Sequence, residues 1–197
     1  QNLFHEIYEQ QSEKLTFRQI FTNTYIPLLT HLGLLWQTDS IKPAHEHFVS
    51  NLIYQKIALN IAKIPPNKKS NNPINVLFLP YGEIHELGLL FLNYYLKLVG
   101  EEVIYLGKSI PFDNLFYLNS QIKNITWITY FMIDKTKEEK DEFIFSVGKL
   151  LEHTKNKCII VGNIWEEYRK KNTNEQIVFK SKLEELVSVN EVKLSVI

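Results

Sequence analysis

The sequence predicts a helical bundle followed by an α/β domain built on a five-stranded parallel sheet. Three observations carry this. Apolar residues recur at helical spacing from the start of the chain to about Ile64. A polar, proline-rich run without periodicity, residues 65–73, then interrupts the pattern and reads as a linker. Beyond it, from 74 to 197, short β-rich runs alternate with helical patterns across short connections, which implies a parallel sheet covered on both faces.

In the first part, Leu3, Phe4, Ile7 and Tyr8 share a helical face, and Ser12 with Glu13 ends that piece. A second helix starts near Thr16 and keeps its period through Phe17, Ile20, Phe21, Tyr25, Leu28, Leu29, Leu32 and Leu35 to Trp36. Pro27 lies inside it, so a kink or break is expected there. Residues 37–40 form a turn, and Pro43 suits the first turn of a long helix reaching about Ile64. On that helix His47, Asn51, Tyr54 and Ala58 fall on one stripe, and Phe48, Leu52, Leu59 and Ala62 form the neighbouring apolar face. The polar stripe is unusual for plain core; a solvated face is the alternative.

In the second part, Ile74–Leu79 reads as a buried strand and 86–99 as a helix stopped by Gly100. Strand 103–106, helix 112–120, strand 125–132, helix 137–153, strand 157–161, helix 164–171, strand 177–179 and helix 182–187 follow. The segment 191–197 is ambiguous. Between the first strand and its helix lies Tyr81-Gly82-Glu83-Ile84-His85-Glu86-Leu87-Gly88. Open α/β sheets place ligands at the C-terminal ends of their strands. The His85 imidazole can offer a lone pair to a metal while Glu83 accepts the other ring N–H, and Gly88 lets a bulky group approach the helix start.

Composition narrows the function. The apolar share of 45% and charged share of 22% are those of a soluble globular protein. Lys+Arg and Asp+Glu both number 22, and no basic patch stands out, which argues against this segment gripping a nucleic-acid backbone. The single cysteine, Cys158, excludes an intramolecular disulfide framework and suggests the cytoplasm, and no signal peptide or membrane-spanning run is visible. Gly-x-Gly-x-x-Gly, Walker A, nucleophile-elbow and zinc spacings are absent. His45 and His47, two apart on a helix, point to different sides and make no metal pair. The chain opens on Gln1 within a helical pattern, as expected of a fragment lacking its N-terminal part.

Taken together, Trp36, nine residues, Glu46-His47; then Gly82-Glu83-Ile84-His85-Glu86-Leu87-Gly88; then Tyr105-Leu106-Gly107 resemble the C-terminal cobalamin-binding region of MerR-type, CarH/LitR-like regulators that use adenosylcobalamin to sense light. The resemblance covers most of residues 15–165. It implies a bundle, 1–64, capping the upper face of the cofactor, and a flavodoxin-like (Rossmann-type) cobalamin-binding domain, 74–197. It implies His85 as the lower axial ligand of cobalt, in place of the cofactor's dimethylbenzimidazole. Trp36, Glu46 and His47 would face the adenosyl or methyl group of adenosylcobalamin or methylcobalamin. The flat, largely apolar corrin would bury much surface between bundle and sheet edge. Glu83, Gly88, Thr129 and Gly162 complete the cofactor set.

Departures from the family are equally specific. Gln37 stands where light-sensing members carry a histidine. Thr129-Tyr130-Phe131 replaces Ser-x-Leu, and Gly162-Asn163 replaces Gly-Gly, both along the channel for the nucleotide tail. These bulkier residues narrow that channel or close it. The reading is therefore the effector part of a transcription regulator, not an enzyme, with DNA contacted only through a missing helix-turn-helix and a homo-oligomer, dimer or tetramer, as the assembly. A corrinoid methyl carrier and a cobalamin-free dimerisation or sensor module are the alternatives.

Overall fold

The structure, a computed structural model, describes residues 1–66 and 72–187. The expected linker lies partly, and the ambiguous tail 191–197 wholly, outside the described residues. The chain divides into two compact units, Gln1–Ile64 and Pro65–Ile197.

In the first unit, α1 (Asn2–Ser12) precedes α2 (Phe17–Ile20), which Thr16 starts with a reciprocal cap: its Oγ1 accepts from Gln19 N while Thr16 N donates to Gln19 Oε1. A π-helical turn, Phe21–Tyr25, then leads into α3 (Ile26–Gln37). The expected break at Pro27 takes this form. Proline has no N–H for the carbonyl of Asn23 and its ring crowds it, so the preceding turn widens instead of the helix ending. Asp39, at φ 55°, turns the chain into α4 (Pro43–Ala62).

The core of this unit is aromatic: Tyr25 stacks on Phe4 at 5.7 Å and meets the edges of Phe17 and Phe21. From α4 it receives Leu52, Ile53 and Ile57, with Lys56 buried among them. This corrects the expected apolar face of that helix: Phe48 and Leu59 are exposed at 51% and 56%. The buried set is spaced i, i+1, i+4, i+5, and Lys56 belongs to it by covering the Tyr8 ring of α1 with its ammonium, 4.0 Å from the centroid and 3.7 Å from Glu9 Oε1.

The second unit holds β1 (Ile74–Pro80), α5 (Leu87–Leu98), β2 (Val103–Ile110), α6 (Phe112–Gln121), β3 (Ile125–Tyr130), α7 (Lys137–Leu151) and β4 (Lys157–Val161). A 3₁₀ turn (Asn163–Trp165), α8 (Glu166–Lys171), β5 (Ile177–Lys180) and α9 (Glu184–Val187) complete it. All strands are parallel in the order β2-β1-β3-β4-β5, that of flavodoxin-like sheets.

Strand alternation divides the core. Val76, Phe78, Trp127, Cys158, Ile160, Ile177 and Phe179 pack with α7 and Trp165, while Leu77, Leu79 and Ile128 pack with Leu89, Leu92 and Leu96 of α5. Two strand ends differ from expectation. β3 stops at Tyr130, and Met132, 63% exposed, belongs to the loop. β2 runs on to Ile110 because irregularities in its pairing with β1 admit extra residues. At the opposite edge of the sheet, the buried Asn156 accepts from Ile125 N at 2.8 Å and donates to Asn119 Oδ1 at 2.7 Å, locking the bottom of β3 to α6. No described helix is long and apolar enough to cross a membrane.

Candidate functional site

The loop between β1 and α5 is shaped by one carboxylate oxygen. Gly82, at φ 83°, lets the chain turn sharply after Pro80, and Glu83 N closes that turn on Pro80 O at 3.0 Å. Glu83 is thereby folded inward, 2% exposed. Its Oε1 accepts from Ile84 N at 2.9 Å, His85 N at 3.1 Å and His85 Nδ1 at 2.6 Å. Burial pushes the Glu83 carboxyl up, but the hydrogen bonds from His85 and Ile84 outweigh it and leave the pKa below its ordinary value. The carboxylate thus stays ionised and holds a proton on Nδ1. In the neutral imidazole this places the basic lone pair on Nε2, the tautomer a metal ligand needs. The His85 side chain is 37% exposed.

The loop is also tied to β2. Gly82 N donates to Ser109 Oγ at 3.2 Å. Glu86, the residue before α5, accepts from Tyr105 Oη at 3.0 Å and pairs with Lys108 Nζ at 2.9 Å. Tyr81, Ile84, Met132 and Ile133, on the loops that follow β1 and β3, expose 54–79% of their surface. The C-terminal edge of the sheet is therefore a half-exposed histidine in an apolar rim.

The other expected residues fall as follows. Gly88 opens α5, and a Cβ there would lie 2.8 Å from Leu183 Cδ1 and 3.5 Å from Tyr130 Cε1. Thr129 is fully buried, with Oγ1 unpartnered, and strand alternation sets it with Trp127 and Phe131 on the face opposite Tyr130. Gly162, at φ 144°, passes so close to Phe131 that a Cβ would meet its carbonyl oxygen at 2.8 Å. In the helical unit Trp36 ends α3, 53% exposed. Glu46 and His47 contact each other, Glu46 Oε2 lying 3.0 Å from His47 Nδ1, and Ser50 donates to the other carboxylate oxygen.

The expected site residues thus form a carboxylate–histidine pair in each unit, Glu46–His47 and Glu83–His85. The tethers from Tyr105, Lys108 and Ser109 and the packing of Leu183 on Gly88 were not foreseen. Partners so far apart in sequence leave no local signal, although the strand end Tyr105-Leu106-Gly107 was marked for another reason. Among the described residues no group of three or more His, Cys, Asp and Glu could hold a metal ion.

Residues 2–59, the helical unit, match a family model described as a B12 binding domain. Over 95 residues the chain is 28% identical to the HTH-type transcriptional repressor CarH of Myxococcus xanthus, a match spanning 48% of this chain and 31% of that protein. The monomethylamine corrinoid protein of Methanosarcina barkeri superposes with a TM-score of 0.73 at 14% identity, over 96% of this chain and 88% of that one. The methanol:cobalamin methyltransferase complex MtaBC of the same organism gives 0.50 at 13% identity, over 91% and 68%. At such identities the structures establish the fold alone: a helical unit followed by a five-stranded parallel sheet. The resemblance to the cobalamin-binding region of a CarH-like regulator stands at low sequence identity, with the family model falling on the bundle.

Proposed function

We propose that the chain binds cobalamin and serves as the effector-binding region of a transcription regulator. The observation that carries the reading is the Glu83 oxygen that collects three N–H donors and sets the His85 tautomer. A solvated loop histidine requires no buried, ionised partner. A ligand to a metal is improved by one, because the partner fixes the ring and raises its basicity.

The donor set fits a corrin-held metal, whose four equatorial positions are already filled. His85 Nε2 would hold the cobalt, and the exposed Tyr81, Ile84, Met132 and Ile133 would offer apolar surface to the ring. Trp36, Glu46 and His47 are assigned to the upper side, where Trp36 shields and His47, oriented by Glu46, donates a hydrogen bond. When bound, the cobalt supplies a cleavable bond to an upper alkyl group. Gln37 stands where the light-sensing members carry a histidine, and its amide would be a poor cobalt ligand beside an imidazole. Regulation requires that the cofactor bind one assembly more tightly than another. DNA binding is assigned to a helix-turn-helix beyond this chain, and the assembly to a homo-oligomer.

The test is to mix the protein with adenosylcobalamin in the dark, separate it by gel filtration and record the absorption spectrum. Retention with a histidine-ligated spectrum is expected, lost in His85→Ala. A free-cofactor spectrum with nothing retained refutes the reading.

A second reading is a corrinoid methyl carrier, supported by the likeness of fold to the monomethylamine corrinoid protein. Such a carrier also needs only the histidine and the corrin. A basic helix-turn-helix upstream of Gln1 supports the regulator; a methyltransferase domain supports the carrier.

A further inference from the structure

We infer that this site takes the corrin ring with its nucleotide tail left outside, so that a base-free corrinoid binds at least as well as cobalamin. The inference rests on the cobalamin reading above and specifies which corrinoids that site accepts.

Cobalamin carries its lower base on a nucleotide tether. When an imidazole takes the lower axial position, that base must swing away, either into a groove beside the ligating loop or into solvent. The tail could leave the loop along either face of β3 at its C-terminal end. On the α5 face the bare Cα of Gly88 is the point of close approach, and it is already occupied. Leu183 Cδ1 and Tyr130 Cε1 stand 2.8 Å and 3.5 Å from where a Cβ would lie, and both residues pack against the cluster of Leu77, Leu89, Leu92 and Ile128.

On the other face Phe131 meets Phe143 and Trp165 edge-on, at centroid distances of 4.9 Å and 5.0 Å, and Gly162 closes against the Phe131 carbonyl. Thr129 Oγ1, like Trp127 Nε1 and Trp165 Nε1 of the same face, is buried and unpartnered and could donate to a ring nitrogen. Reaching it requires opening that aromatic cluster. A benzimidazole-sized ring would have to displace Leu183 and Tyr130 on one face or open the buried cluster of Phe131, Phe143 and Trp165 on the other.

Leu183 and Tyr130 are then the residues that set specificity for the lower part of the ligand. A base-free corrinoid avoids a further penalty, since no intramolecular base competes with His85 for cobalt.

The experiment is an absorption titration in the dark with methylcobalamin and with methylcobinamide, using the wild-type chain, Leu183→Ala and the double variant Leu183→Ala/Tyr130→Ser. Wild type is expected to bind methylcobinamide as tightly as methylcobalamin, or up to tenfold more tightly. Opening the α5 face should shift the preference toward methylcobalamin by fivefold or more in the double variant. In the wild-type complex the benzimidazole proton resonances of methylcobalamin should stay narrow, as in a freely moving tail. Any wild-type preference for methylcobalamin beyond the error of the titration, or benzimidazole resonances broadened to the width of the protein's own, overturns the inference and leaves the cobalamin reading intact. Binding of neither ligand by folded protein overturns the cobalamin reading and the inference with it. The wild-type comparison decides the matter even if the variants fail to fold.

Discussion

Glu83→Gln isolates what the buried carboxylate contributes. The amide is nearly isosteric and can still accept from the backbone N–H groups of Ile84 and His85, so the loop should keep its path. The negative charge of the carboxylate that faces Nδ1–H is lost, and with it part of the basicity and orientation of the ring. Removing the carboxylate partner of a metal-bound histidine lowers affinity by about 10- to 100-fold. That range is therefore expected for methylcobalamin titrated by absorbance, with little change in melting temperature.

Glu83→Ala differs. It leaves three donors, at 2.6–3.1 Å in the native loop, without their acceptor. At about 1 kcal/mol each this costs roughly 3 kcal/mol. For a chain of this size that is a fall of roughly 6–12 °C in Tm.

The pH dependence has a fixed sign. A carboxyl whose folded pKa is depressed contributes stability above its unfolded pKa and loses it as pH falls through the folded one. The contribution of the Glu83 carboxylate should therefore be constant above the ordinary carboxylate range and be lost only as pH falls below it. Glu83→Gln should abolish that acid-side loss. Cobalamin affinity within threefold of wild type in Glu83→Gln would refute the claim that this oxygen prepares the histidine.

Other substitutions probe the scaffold by thermal or denaturant melts. Lys56→Ala should cost about 2 kcal/mol by stripping a buried stem and its contact with the Tyr8 ring, whereas Lys56→Met should cost under about 1 kcal/mol. Asn156→Ala should cost about 2–3 kcal/mol, because Ile125 N and Asn119 both lose their partner. Gly162→Ala should cost about 3 kcal/mol or more, since its φ of 144° is strained for alanine and the new Cβ would meet backbone, which cannot swing aside.

The strands were legible because each is a compact apolar run bounded by turn residues, and the parallel sheet followed from their alternation with helices. The Glu83–His85 pair was legible too, since residues two apart in a tight loop can meet only locally. The α4 face was not. Phe48 and Leu59 satisfy helical spacing as well as Ile53 and Ile57 do, and a lysine at 56 reads as solvent. Only the Tyr8 ring, nearly fifty residues earlier, makes that lysine a core residue, and hydrophobicity summed along one helix does not contain it. The same limit hid Leu183 behind Gly88: the glycine announces close approach but not by what.

The end of β2 shows how a pairing irregularity serves the loop. In a regular strand Tyr105 and Lys108, three apart, would stand on opposite faces, yet both reach the Glu86 carboxylate. The register explains this. Leu77 pairs with Tyr105 and Phe78 with Gly107, so one residue of β2 is extra; between Phe78 and Pro80 the partners advance from Gly107 to Ile110, adding another. The first extra residue reverses the parity of everything after it, bringing Lys108 to the side of Tyr105. The positive φ values of Gly107 and Ser109, 86° and 58°, are the backbone cost of that reversal. It holds Glu86 at the start of α5 while Ser109 Oγ takes Gly82 N at the other end of the loop. The histidine is thus held by a segment tied at both ends to a neighbouring strand, and it is this anchoring, absent from any local motif, that lets a loop rather than a helix present a ligand in a fixed orientation.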